Sequence, residues 1–190
     1  GQFHPLKLLL GLAKQLNIYE DTFVRKVEDG VAYTENGRIQ ADHIVLATHY
    51  PMINIPGLYF MKVYQHRSYV VALEGAPHLE GMYVDGCTNG YSFRSYQDLL
   101  LVGGGSHKTG KQGGGFAPLA EKAWPDALER YFWATQDCMS LDNVPYIGRH
   151  RAGVGHLYVA TGMSKWGMTG SMAASRLLCA LILTGKSELE

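Results

Sequence analysis

Arg67 and Tyr69 stand two residues apart in a stretch rich in β-branched and aromatic residues, so on a strand both side chains point to one side. Arg94 and Tyr96 repeat that spacing further on. A guanidinium beside a phenol can hold a carboxylate through two parallel hydrogen bonds, and the same pattern also suits a solvated sheet face with snorkelling arginines. Arg67 is the first candidate for the carboxylate, because Arg67-Ser68-Tyr69 opens into Val70-Val71-Ala72-Leu73, the pattern of a central strand. His107-Lys108 lies among glycines and is either a binding pair or part of a plain surface loop. The other local signal is a strand, a turn with glycines at 162, 167 and 170, and an apolar helix, together spanning residues 157–183. A turn without side-chain bulk lets a planar or phosphorylated ligand approach, and a helix N-terminus supplies free N–H groups and partial positive charge. The order is not that of the phosphate-binding G-x-x-x-x-G-K-[ST] loop, and close packing of helix on strand explains the glycines equally well.

These residues need elements to position them. Pro5 followed by Leu6, Leu8, Leu9, Leu10, Leu12, Ala13 and Leu16 predicts a helix of about three turns with a broad buried face, ending near Asn17. A strand region over residues 18–27 follows, then turns at Glu28-Asp29-Gly30 and Glu35-Asn36-Gly37, which predict a three-stranded meander. His43-Ile44-Val45-Leu46-Ala47-Thr48 is continuously apolar at its centre and predicts a strand buried on both faces, as in a parallel sheet. Pro51, Pro56 and Gly57 mark a crossing into long strands at 63–73, 81–85, 91–97 and 99–104, a mostly antiparallel lobe. Residues 103–115 hold seven glycines and predict a loop. Residues 119–133 predict a helix that Pro125 kinks or restarts, leaving Trp133, Gln136 and Asp137 just after its end. A buried strand at 157–161 and a helix at 171–183 closed by Gly185 complete the chain. The expected fold class is α+β, with domains at 1–50 plus 142–190 and at 51–141.

Composition narrows the function classes. Among 190 residues, 17 Lys plus Arg balance 17 Asp plus Glu, so no basic surplus favours nucleic acid or anionic lipid, and neither is expected as a partner. Glycine is over-represented at 23 residues, against a usual share of about 7%. Three widely spaced cysteines, Cys87, Cys138 and Cys179, suggest neither a disulfide framework nor a metal site. A reduced, cytoplasmic protein is the expectation. The apolar run at 177–183 is shorter than the ~18 residues that span a bilayer.

The order of motifs resembles the C-terminal half of the FAD-dependent oxidases of the D-amino-acid and glycine oxidase family. The residues that carry the likeness are Phe3-His4-Pro5, Glu20-Asp21-Thr22-Phe23-Val24, the stretch 34–48, Asp142-Asn143-Val144-Pro145-Tyr146-Ile147-Gly148 and Leu157-Tyr158-Val159-Ala160-Thr161-Gly162. Within the family, Tyr131-Phe132-Trp133-Ala134-Thr135-Gln136-Asp137, His107-Lys108-Thr109-Gly110 and Lys165-Trp166-Gly167-Met168-Thr169 look like the branch that often carries a Rieske iron-sulfur domain after the oxidase.

The resemblance implies an FAD-dependent oxidase or dehydrogenase acting on the C–N bond of an amine or amino acid, with electrons passing to dioxygen or to an iron-sulfur cluster in another domain. It implies a mostly antiparallel substrate lobe and an incomplete α/β flavin lobe, because no G-x-G-x-x-G fingerprint and no Cys-x-His pair occurs. The chain is therefore expected to be a piece of a longer enzyme and inactive alone, with no metal ligands of its own and an oligomeric state that is not legible. Cofactor contacts are implied at Thr22 and Val24, at Ala47 and Thr48, and at Gly162, Met163, Ser164, Lys165, Trp166, Gly167, Met168 and Thr169. Substrate contacts are expected from Arg67, Tyr69, Arg94, His107 and Lys108. His49 stands where the family usually has glycine. The alternatives are a carboxylate-binding module without chemistry and an FAD enzyme acting on a 2-hydroxy acid.

Overall fold

The computed structural model describes residues 2–55, 57–87, 90–111, 123–151 and 155–188. The chain divides into two compact units, Gly1–Val63 with Cys138–Glu190, and Tyr64–Asp137. Residues 51–63 and 138–141 thus pack with the first unit, whereas the sequence reading drew its boundaries at 50/51 and 141/142.

In the first unit a helix α1 (Pro5–Ala13) starts at the expected proline, with His4 Nδ1 accepting from the Lys7 N–H. The expected broad buried face is not found: α1 buries no residue, and Leu6, Leu9 and Leu10 are exposed. The strand region begins later than residue 18, giving β1 (Val24–Glu28), β2 (Val31–Thr34) and β3 (Arg38–Gln40) in an antiparallel meander of order β1-β2-β3. Asp29 and Gly30 both have positive φ, 49° and 77°, the geometry that lets a two-residue turn follow the strand twist.

The unit's other sheet joins β4 (Ile44–Leu46), β10 (Tyr146–Arg149) and β11 (Leu157–Thr161) in the order β10-β11-β4, with β11 parallel to β4 and antiparallel to β10. A second helix, α2 (Gly167–Thr184), ends on Gly185 at φ 75°. Its Ala174, Leu177, Leu178 and Leu181 follow the i, i+3, i+4, i+7 spacing and are buried, the leucines clustering with Tyr158. The 18 residues of α2 are long and apolar enough, by length and composition, to cross a membrane; here its apolar stripe lies on the sheet. Leu46, Tyr59 and Val159 form a separate core cluster. Tyr158 and Val159 alternate and are both buried, so β11 is covered on both faces. The same expectation fails for β4, where Val45 is 40% exposed, because the leucines of α2 cluster with β10 and β11.

The second unit is built on β5 (Val63–Glu74), β6 (Tyr83–Val84), β7 (Ser92–Tyr96), β8 (Leu99–Lys108) and β9 (Leu128–Ser140), in the order β6-β7-β8-β5-β9. The pairs β6/β7, β7/β8 and β5/β8 are antiparallel. Two expectations are corrected here. The glycines at 103–105 lie inside β8 rather than in a loop, because Tyr91 and Ser92 lie across the strand there. A Cβ on Gly104 would sit 2.3 Å from the Tyr91 ring, and one on Gly103 would sit 2.8 Å from Ser92 Oγ. Residues 112–115 of the expected loop lie outside the described residues. Residues 128–133 form part of β9 rather than a helix, so Trp133, Gln136 and Asp137 lie within a strand; residues 119–122 are outside the description. Tyr131, Phe132, Trp133 and Thr135 favour the pleated surface, and two cross-strand pairs hold it: Arg130 with Glu74, and Phe132 stacked on Tyr69.

Candidate functional site

In the first unit, parallel pairing brings the carboxyl ends of β4 and β11 side by side, so Ala47 and His49 come next to Thr161 and Gly162. The crevice beyond the carboxyl ends of parallel strands is where open α/β sheets collect ligands. A cavity of about 350 Å³ opens here, lined among others by Val45, Ala47, His49, Cys138, Gly162 and Met163. Its far wall is the Ser171, Ala174, Ser175 and Leu178 side of α2, where small residues leave room.

The polar atoms around the cavity have assigned directions. Thr161 Oγ1 donates to the His49 carbonyl at 2.5 Å, so toward Cys138 it can only accept, and the thiol donates to it at 3.4 Å. This contact holds Cys138 against Thr161 of β11. Gly162, at φ 71°, turns the chain out of β11, and a Cβ there would lie 3.3 Å from that of Ser140. The turn is held by the Ser164 N–H on the Cys138 carbonyl and the Trp166 N–H on the Met163 carbonyl, each 3.0 Å. Trp166, which precedes α2, makes no side-chain cap bond to it.

Of the residues implied as cofactor contacts, Ala47, Gly162 and Met163 line this cavity. Ser164, Lys165 and Trp166 lie in the turn that leads from it, with Trp166 72% exposed, and Gly167 opens α2. Met168 and Thr169 instead line a separate groove with Phe3, His4, Lys7 and Leu8. Thr48 Oγ1 donates to the Tyr50 carbonyl, Thr22 Oγ1 to the Glu20 carbonyl, and Val24 opens β1; none of these three lines the cavity. His49, Cys138, Thr161, Ser171 and Ser175 were missed, since only the pairing of β4 with β11 and the placement of α2 bring them together.

The second unit separates the expected substrate contacts by face. Val71, Leu73, Leu100 and Val102 form the apolar core on one face of the sheet, with Tyr69 and Phe93 packed against it. Arg67 alternates onto that face too. His107 Nδ1 can only donate to the Lys108 carbonyl (3.1 Å), so in the neutral ring Nε2 accepts, and the Tyr69 hydroxyl donates to it at 3.0 Å. Tyr69 is stacked between His107 on β8 and Phe132 on β9. In that tautomer the phenol proton goes to His107.

The opposite face is polar at one end. Between the pairs Arg67↔His107 and Tyr69↔Gly104, β5 has one residue and β8 two, a bulge at which Gly105 has φ 62°. Ser68 and Ser106 meet there at 2.9 Å, and Ser68 Oγ donates to Asp137 Oδ2 at 3.4 Å. Lys108 pairs in register with His66 and lies over the Tyr64 ring at 5.2 Å. Arg94 pairs with Leu101, which pairs with Ala72, so it shares this face. It sits four residues along and two strands across from Ser68, about 14 Å by about 10 Å, too far to hold the same small ligand.

The profile of the family described as FAD dependent oxidoreductase (DAO) matches residues 1–181. The chain is 34% identical, over 96% of its length, to the protein YhfW of Bacillus subtilis (strain 168), whose name places it among Rieske 2Fe-2S iron-sulfur proteins. Among solved structures it is similar to glycine oxidase from Geobacillus kaustophilus, with TM-score 0.71 and 24% identity over 90% of this chain. It is also similar to L-amino acid deaminase from Proteus vulgaris, with TM-score 0.72 and 14% identity over 97% of this chain. The chain spans 40% of YhfW, 50% of the glycine oxidase and 59% of the deaminase. At these identities the two structures share the fold.

The cavity fits one end of a flavin dinucleotide. Its volume lies at the low end of the ~300–1,000 Å³ of small-molecule sites, enough for part of such a cofactor. It offers apolar walls for a ring, a glycine turn that lets backbone approach, and a nearby helix N-terminus. Parallel strand ends, glycine turn and family profile agree over nearly the whole chain, which therefore belongs to the FAD dependent oxidoreductase (DAO) family.

Proposed function

We propose that the protein carrying this chain oxidises the C–N bond of an amine or amino acid with FAD, and that this chain supplies the substrate-binding sheet and part of the flavin lobe. The observation that carries the reading is the cavity at the carboxyl ends of β4 and β11, facing α2, in a chain that matches the family over residues 1–181. The names of the glycine oxidase and the L-amino acid deaminase support amino acids as the substrate class.

Bound FAD supplies a two-electron acceptor. Ala47, Gly162 and Met163 would hold one end of it. Val45, Met163 and Leu178 keep that end dry. The substrate loses a hydride from its α-carbon and a proton from its nitrogen, and the resulting imine takes up water to give a carbonyl compound and an amine or ammonia. No described residue is needed as a base if the amine reacts in its neutral form. A Rieske cluster, in a domain outside this chain, is the electron acceptor that the likeness to YhfW favours.

The test is anaerobic bleaching of the flavin in the holoenzyme by a panel of amino acids, simple amines and 2-hydroxy acids. Reduction by amino acids or amines supports the reading. Reduction by hydroxy acids alone replaces it, and a protein that neither holds flavin nor bleaches is a binding module.

A further inference from the structure

We infer that His49 donates a hydrogen bond from its imidazole to an oxygen of the bound flavin dinucleotide, at the mouth of the cavity formed by β4, β11 and α2. The inference rests on the flavin reading above and adds one polar side chain to the apolar walls and glycine turn described there.

Three observations carry it. Ala47-Thr48-His49 continue the chain from β4 at the carboxyl ends of the parallel strands, and His49 lines the cavity while remaining exposed. A residue that is exposed and still lines a cavity stands at its mouth, within reach of an entering ligand.

The backbone at His49 is the second observation, left-handed at φ 64°. Glycine takes that conformation without steric cost and an L-residue does not, so a side chain is kept here against a backbone preference. Among the described residues seven non-glycines have positive φ, and of these His49 is the one that lines this cavity. The turn is fixed from several sides. Thr161, 2% exposed, donates from Oγ1 to the His49 carbonyl at 2.5 Å, Thr48 Oγ1 donates to the Tyr50 carbonyl at 2.9 Å, and Pro51 is fully buried. Strained backbone persists where its surroundings over-determine it, and such places collect at ligand sites. A turn held this way leaves little backbone ordering to be done on binding.

The third observation is the fate of the polar protons on the cavity walls. The Cys138 thiol donates to Thr161, and Thr161 donates to the His49 carbonyl. Ser171 and Ser175 donate back along α2, to the carbonyls of Met168 at 2.8 Å and Met172 at 2.9 Å. Among the described residues that line the cavity, the His49 imidazole is the polar side chain whose N–H has no partner. An imidazole presents at least one N–H in either protonation state, and a flavin dinucleotide carries oxygens on its ring, ribityl chain and phosphates.

The experiment removes flavin from the wild-type holoprotein that carries this chain and from its His49→Gly, His49→Ala and His49→Asn variants, then measures the urea midpoint of each flavin-free protein and its Kd for added FAD. Gly removes the imidazole and the left-handed cost together, Ala removes only the imidazole, and Asn keeps a side-chain N–H in a residue that tolerates this backbone. The expected result is a urea midpoint in His49→Gly at or above that of wild type, with the Kd for FAD raised roughly three- to tenfold in His49→Gly and His49→Ala. His49→Asn should recover part of that loss. A visible flavin band that shifts in the variants supports the contact with its acceptor on the ring, and the same loss with an unshifted band supports it with the acceptor on the ribityl or phosphate oxygens. An unchanged Kd in His49→Gly overturns the contact and leaves the flavin reading standing. A urea midpoint in His49→Gly below that of wild type also overturns it, since His49 is then needed by the fold itself. A wild-type protein that binds no FAD overturns the flavin reading, and the contact with it.

Discussion

Replacing Gly162 by alanine separates two costs that the structure assigns to one position. Gly162 has φ 71°, and an added Cβ would lie 3.3 Å from Ser140 Cβ and 3.5 Å from the Tyr146 ring. Gly185 has φ 75° with nothing within 4 Å of the same added atom. Left-handed backbone costs an L-residue about 1–2 kcal/mol at either site. Alanine also restricts the unfolded chain equally in both variants, so that contribution cancels in the comparison. Only Gly162→Ala adds crowding, against a Ser140 that is 1% exposed, at about 1–2 kcal/mol within the range for overpacking. The expected destabilisation is thus about 2–4 kcal/mol for Gly162→Ala and about 1–2 kcal/mol for Gly185→Ala. With a urea dependence of ~2 kcal/mol/M, the midpoints should fall by roughly 1–2 M and 0.5–1 M. Urea titration followed by tryptophan fluorescence measures both. Equal midpoints in the two variants would refute the crowding argument. Flavin content after purification adds a second reading, since Gly162 lines the cavity and Gly185 does not. Unchanged flavin content in a folded Gly162→Ala protein would remove the turn from the flavin site.

Asp85 accepts from the N–H groups of Tyr91 at 2.8 Å and Cys87 at 2.9 Å, and these bonds hold its carboxyl below the ordinary value of 3.8. A depressed native pKa gives stability that is present above the unfolded value and lost as pH falls through the native one. The stability gap between wild type and Asp85→Ala should therefore be constant near neutrality and shrink in acid below about 3.8, which denaturant titrations across pH will read. Thiol accessibility gives another check: Cys87 and Cys179 are exposed and Cys138 is buried. Brief alkylation of the native protein should label the peptides of the first two and spare Cys138 until denaturant is added; equal labelling of all three would contradict the buried thiol that bonds to Thr161.

Local chemistry made much of the fold legible in the sequence. Asp29 and Gly30, both at positive φ, form the turn that the residue types there favour, so the meander was predictable from the turn residues and the short stretches beside them. The spacing of Ala174, Leu177, Leu178 and Leu181 and the stop at Gly185 likewise specify α2 without reference to anything distant. The order of motifs was sufficient for the family, because each motif is a short string whose meaning does not depend on its partners. What the tertiary structure decided concerns pairs far apart in the chain. The glycines of β8 suggest a loop until Tyr91 and Ser92 are laid across them, and the tract at 128–133 passes for a helix until Glu74 and Tyr69 supply its cross-strand partners. The candidate site depends most on such pairing. Alternation on a strand told which residues share a face, as for Arg67 and Tyr69, but not which face meets the core. The bulge at Gly105, one residue longer on β8 than on β5, is what returns Ser106 and Lys108 to the side of Ser68 and Asp137 and leaves His107 beside Tyr69. A one-residue difference in register exchanges the faces of every side chain beyond it, and register is a property of two strands together, written in neither alone.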